Sequence, residues 1–127
     1  MAILLDTQAA WWWLMDDGRI DDRARRLVAR EIEGRTAFVS ALALLEMVGK
    51  ALRGKAGLPD GLMDIVDGSG LRTLPFEAQD AIASRDLPRI HGDPFDRGIA
   101  AQALRRDLTL MTSDARLAEY PIAVYRL

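Results

Sequence analysis

The chain has 127 residues, which suits one domain, and a domain of this size buries roughly two-thirds of its unfolded surface. With 17 basic and 19 acidic side chains the net charge is −2, which excludes nucleic-acid binding by bulk electrostatics; a polyanionic substrate would need a local basic rim and a metal ion. No apolar run approaches the roughly 18 residues of a membrane span, the N-terminus lacks the marks of a signal peptide, and the absence of cysteine removes disulfides and thiolate chemistry, so we expect a cytoplasmic protein without membrane association.

Ile3-Leu4-Leu5 reads as a buried parallel strand. It ends at Asp6 and Thr7, where a helix over 7–15 should begin with Thr7 as N-cap. Ligands of open α/β sheets collect past the carboxyl ends of the strands, so Asp6 is the first candidate for an acidic site. Trp11-Trp12-Trp13 covers three faces of the helix, which puts at least one ring at the surface or in an interface. Asp21 or Asp22 caps a second helix to about residue 32, with Ala24, Leu27, Val28 and Ile32 as its apolar stripe and arginines on its other faces. Gly34 ends that helix, and 36–39 is a second strand. Ser40 caps a helix over 41–53, where Leu42, Leu45, Val48 and Leu52 recur at helical spacing. A break at 57–61 and a short helix over 62–66 precede a third strand at 71–74. Then come a helix over 76–84, a loop at 87–93 and a helix opened by Pro94 that runs to about 106. A fourth strand at 108–111, a helical turn at 115–119 and a fifth strand at 122–125 close the chain. This alternation predicts an α/β fold, a parallel sheet of about four to five strands with helices on both faces, as a single domain over 1–127.

Asp6 follows strand one and Asp114 follows strand four. Glu46 lies about two turns into the helix after strand two, and Asp96 opens the helix before strand four. If the strands holding Asp6 and Asp114 are neighbours, all four converge at one sheet edge. Carboxylates about 6 Å apart repel by roughly 3 kcal/mol per pair at an effective dielectric near 20, so the cluster needs protons or a divalent cation. All-oxygen donors suit Mg²⁺ or Mn²⁺, and such sites support metal-assisted phosphoryl chemistry. Aspartate is also common at caps and turns, so spacing alone leaves both readings open. Glu46, amid Ala43, Leu44, Leu45, Met47 and Val48, is either on a solvent face or buried for a purpose.

His91, the only histidine, has no Gly-x-Ser-x-Gly partner and no zinc-ligand set around it; it reads as an anchor for the loop before Asp96. The stretch 49–55 fits G-x-x-x-x-G-K, but Ala56 stands where a phosphate loop needs Ser or Thr. Gly68-Ser69-Gly70 lacks a third glycine and precedes a strand, so it reads as a turn. The 15 arginines against two lysines read as genomic base composition, with the arginine face of the second helix solvated.

Leu4-Leu5-Asp6-Thr7 followed by Trp12–Leu14 resembles the opening of PIN-domain proteins, specifically VapC-type toxin ribonucleases. Val39-Ser40-Ala41 with Leu45-Glu46-Met47 and Lys50 resembles their second acidic block. Leu87-Pro88, His91, Asp93-Pro94-Phe95-Asp96-Arg97 and Ile99-Ala100-Ala101-Gln102-Ala103 form the most specific match, and Leu110-Met111-Thr112-Ser113-Asp114 is the fourth block. The resemblance implies a PIN-like single domain that hydrolyses RNA phosphodiester bonds with Mg²⁺ or Mn²⁺, leaving a 5′-phosphate and a 3′-hydroxyl. Asp6, Glu46, Asp96 and Asp114 would be both catalytic and metal-holding. Asp96 is preferred to Asp93 because it precedes Ile99 by three positions, as in the family. Thr7, Ser40, Thr112 and Ser113 are candidates to position carboxylates or water, and Lys50, Arg53 and Arg97 to contact phosphate. The resemblance further implies an RNA substrate, a small antitoxin that covers the acidic site, and a homodimer. Gln8 and Gly98 depart from the family pattern, which commonly has His and a larger apolar residue there. The alternative is a non-catalytic PIN-like module that binds protein or RNA. A doubly wound phosphatase does not fit, since Gln8 stands where a second aspartate would follow Asp6 by two.

Overall fold

The computed structural model describes residues 1–55, 57–90 and 92–127. Ile3–Leu5 forms β1, and all three side chains are fully buried. Successive strand residues point to opposite faces, so this burial means that β1 is covered on both sides. It takes the centre of a parallel sheet with order β3-β2-β1-β4-β5. The other strands are β2 (Ala37–Ser40), β3 (Arg72–Leu74), β4 (Thr109–Thr112) and β5 (Val124–Arg126). Leu5 lies opposite Val39 on one side and Met111 on the other, so the carboxyl ends of the three central strands finish level.

The helices are α1 (Thr7–Leu14), α2 (Asp22–Glu33), α3 (Ala41–Leu52), α4 (Leu62–Gly68), α5 (Ala78–Ala83) and α6 (Pro94–Arg106), with 3₁₀ turns at Ser84–Asp86 and Ala115–Glu119. The α/β architecture expected from the sequence is the one observed, with a parallel sheet of five strands. Strands two to five begin one or two residues later than the apolar runs suggest, because ladder pairing includes Ser40, Thr112 and Arg126. The helix expected over 76–84 begins at Ala78, since Glu77 and Asp80 form a reciprocal capping box at its start. No helix among the described residues is long and apolar enough to cross a membrane.

The helically spaced apolar residues of α3 do not form one buried face. Ala43, Glu46 and Met47 face inward, while Leu45, Val48 and Leu52 are 56%, 37% and 84% exposed. Residues 41–48 are apolar almost all round, so periodicity could not choose between two apolar arcs. Leu42 packs so closely on α6 that a Cβ at Gly98 would lie 2.5 Å from its Cδ1 and 3.2 Å from Phe76. That accounts for the small residue at position 98.

The tryptophan run is half-buried throughout and packs against the core. Trp13 Nε1 donates to Ser69 O at 3.3 Å, and the Arg19 guanidinium lies 5.7 Å from the Trp12 ring centre. Gly70 has φ +86°, and a Cβ there would fall 2.6 Å from Ile32 Cγ2, so this turn requires glycine.

Fully buried Asp80 ties α5 to the end of α6. It accepts from the Glu77 N–H at 2.8 Å, from Arg105 Nη1 at 2.5 Å and from Arg106 Nη1 at 2.7 Å. Burial raises its pKa, but the hydrogen bonds from Arg106, the Glu77 N–H and Arg105 outweigh it and hold the carboxyl below its ordinary value. Asp80→Ala should therefore destabilise the fold by about 3 kcal/mol near neutrality. A depressed carboxyl pKa stabilises above the unfolded value of about 3.9 and loses that contribution as pH falls through the folded value. Urea unfolding should thus show the gap between wild type and variant closing below about pH 4.

Candidate active site

The strand–helix junctions at the carboxyl edge of the sheet each turn on a polar side chain. Asp6, rather than Thr7, caps α1: its Oδ1 accepts from the Ala9 N–H at 2.8 Å. Its Oδ2 accepts from Thr112 Oγ1 at 2.5 Å. Thr112 Oγ1 in turn accepts from the Asp114 N–H at 2.9 Å, so one hydroxyl links the ends of β1 and β4. Released from capping, Thr7 donates from Oγ1 to Glu46 Oε1 at 2.5 Å. Glu46 is only 9% exposed, which resolves its ambiguity in favour of burial. Lys50, one turn further along α3, lies 3.8 Å from Glu46 Oε2. Ser40 caps α3 by accepting from the Leu42 N–H at 3.0 Å.

Asp114 caps the 3₁₀ turn that follows β4, accepting from the Arg116 N–H at 2.9 Å. The Arg116 guanidinium folds back onto the same carboxylate through Nε at 3.2 Å and Nη2 at 3.1 Å. The sequence reading did not single out Arg116; the signal was its spacing, two residues after a capping aspartate. Asp93 caps α6 by accepting from the N–H groups of Phe95 (2.8 Å) and Asp96 (3.4 Å). Asp96, in the first turn, faces the site. Asp6, Glu46, Asp96 and Asp114 line a single cleft of about 220 Å³ with Lys50 and Ser113 on its walls.

Two candidate phosphate contacts fall elsewhere. The Arg97 guanidinium donates to the carbonyls of Pro88 (2.7 Å), Ser84 (2.6 Å) and Leu87 (3.1 Å), which clasps the loop before α6. Arg53 ends α3 and folds over Gly49 rather than into the cleft. His91 and Ala56 lie outside the described residues.

Burial pushes the Asp6 carboxyl above its ordinary pKa, and the charges of Glu46 and Asp114 push the same way, against the hydrogen bonds from Thr112 and Ala9. The Arg116 guanidinium is raised by its bond to Asp114 and by the fields of Asp96 and Asp93. The cleft thus carries a surplus of negative charge. Among the described residues no three acidic side chains stand close enough together to clasp a metal ion. An all-oxygen donor set under electrostatic strain fits a hard divalent cation.

A raised carboxyl pKa means the fold favours the protonated acid, so the ionised form destabilises it, and stability falls as pH rises from the unfolded toward the folded value. In a chelating buffer Asp6→Asn, which keeps the capping oxygen, should melt above wild type at neutral pH. The difference should vanish in acid, where Asp6 is already neutral; thermal melts across pH check this.

A family profile described as the PIN domain matches residues 3–123. Among curated proteins, none matches the sequence significantly. Solved structures share the fold. A chain of the VapBC2 complex from Rickettsia felis, bound to a promoter DNA fragment, is 18% identical with a TM-score of 0.75, over 100% of this chain and 99% of that one. A chain of DNA-bound VapBC from Salmonella typhimurium is 21% identical with a TM-score of 0.73, over 99% and 98%. A chain of FitAcB from Neisseria gonorrhoeae is 19% identical with a TM-score of 0.60, over 98% and 96%. The profile match spans nearly the whole sequence and coincides with the sheet and cleft described above: this chain belongs to the PIN domain family.

Proposed function

We propose that residues 1–127 act as one nuclease unit, a Mg²⁺- or Mn²⁺-dependent endoribonuclease of the VapC type and the toxin of a type II toxin–antitoxin pair. The observation that carries this reading is the lining of one cleft by Asp6, Glu46, Asp96 and Asp114 on a PIN fold. Asp6, Asp96 and Asp114 would hold the cation, and Glu46 would complete the site or orient water. When bound, the cation supplies positive charge that acidifies water and steadies the leaving oxygen of a phosphodiester. Thr112 fixes the rotamer of Asp6, and Thr7 fixes that of Glu46. Lys50 offers the cleft a cation for substrate phosphate.

The similar folds come from VapBC and FitAB assemblies, which supports a small antitoxin as partner. The exposed Leu45, Val48 and Leu52 stripe of α3 supports a protein interface, with a second copy or the antitoxin as occupant.

Asp114→Asn should lower RNA cleavage by at least about a hundredfold, on the scale of losing one preorganised electrostatic group, and weaken Mn²⁺ binding in calorimetry without changing the circular dichroism spectrum. Full-rate cleavage by this variant would remove Asp114 from the site. For the interface, Leu45→Asp with Leu52→Asp should halve the mass in light scattering if α3 joins two copies. An unchanged dimer would place the contact elsewhere.

A further inference from the structure

Beside the acidic cleft lies a second cavity of about 230 Å³ that shares Thr7, Gln8 and Lys50 with it. Its remaining walls are Trp11, Met47, Leu58 and Lys55. The chain has two lysines against 15 arginines, and both line this one cavity. An aromatic and two apolar side chains form one part of the lining; mobile point cations form another. A flat, weakly polar ring stacks on the first, and a phosphodiester is matched by the second. The two cavities share these three lining residues, Thr7, Gln8 and Lys50, so a chain held in one would lie beside the other.

We propose that this cavity is a nucleotide subsite, in which Trp11 stacks a base next to the scissile phosphate while Lys50 and Lys55 hold the flanking backbone. The subsite rests on the ribonuclease reading for its substrate, but its ligand chemistry stands on the cavity itself. The charge pattern favours single-stranded RNA over an apolar helix, which would leave two ammonium groups facing its hydrophobic face. Gln8, on the wall common to both cavities, is placed to meet a base edge or ribose.

The test compares fluorescein-labelled U12 with an abasic ribose-phosphate chain of equal length, by anisotropy in Ca²⁺ buffer. Wild type should prefer U12 by about tenfold, the scale of one stacked base. Trp11→Leu, which keeps apolar packing on the core but has no ring, should lose that preference. Lys55→Gln should weaken both RNAs alike and flatten the salt dependence by about 0.7 in slope. Equal binding of both RNAs by wild type overturns the proposal, as does a preference that survives Trp11→Leu; the cavity then belongs to a protein partner. Cleavage of RNA in Mn²⁺, measured alongside, separates the two readings. Base preference without cleavage upholds the subsite and sinks the nuclease, whereas cleavage without base preference does the reverse.

Discussion

Parallel pairing of β1 between β2 and β4 is the constraint on which the site depends. With Leu5 level with both Val39 and Met111, the residues just past the strands meet at one edge. The Thr112–Asp6 hydrogen bond then joins positions 106 apart in sequence. In a parallel α/β sheet the crossover helices run antiparallel to the strands, so their N-termini collect at that same edge. Asp6, Ser40 and Asp93 cap three of them, and Asp114 caps a 3₁₀ turn. Each helix N-terminus favours a nearby negative charge by about 0.3–1 kcal/mol. The topology therefore both gathers the acids and softens their repulsion. The softening is incomplete, because Asp6 still has its pKa raised.

Most of this arrangement was legible in the chain because it is local. Apolar runs ending in aspartate marked the strand ends, and Pro94 and Ser40 marked helix starts. Sheet order was conditional in the sequence: the four acids meet only if β1 and β4 are neighbours, and long-range pairing has no local signature. Thr7 looked like a cap because Thr and Asp both cap well; which one does so depends on Glu46, 39 residues away, holding the Thr7 hydroxyl. Arg97 was a candidate phosphate contact on the family resemblance, yet the loop before α6 leaves carbonyls that a guanidinium can gather. The orientation of α3 was not legible in its spacing. A helix apolar on nearly every face has no preferred inside until its neighbours exist, and the close approach of Leu42 to Gly98 shows one face meeting α6.

Two of the cleft acids have cationic partners. Lys50 lies beside Glu46 and Arg116 grips Asp114, while Asp6 has hydrogen-bond donors but, among the described residues, no ion-pair partner. This uneven neutralisation matches the burial. Asp6 is the deepest of the four acids, and a long cationic side chain reaching it would have to surrender its own hydration. Glu46 and Asp114 have cationic partners whose side chains remain 37% and 60% exposed, and water weakens such pairs. On the reading proposed above, a cation entering the cleft would meet these pairs at Glu46 and Asp114 and the buried carboxyl of Asp6.

The same reasoning connects the cleft to the outer face of α3. Glu46 and Lys50 point into the site from one side of the helix, and Leu45, Val48 and Leu52 leave the other side apolar and exposed. At 3.6 residues per turn these faces are rigidly related. A partner seated on the stripe that turned or shifted α3 would carry Glu46 with it and strain the short Thr7 contact. Whether a protein covers the stripe therefore bears directly on the geometry of the acids, with one helix as the only intermediary needed.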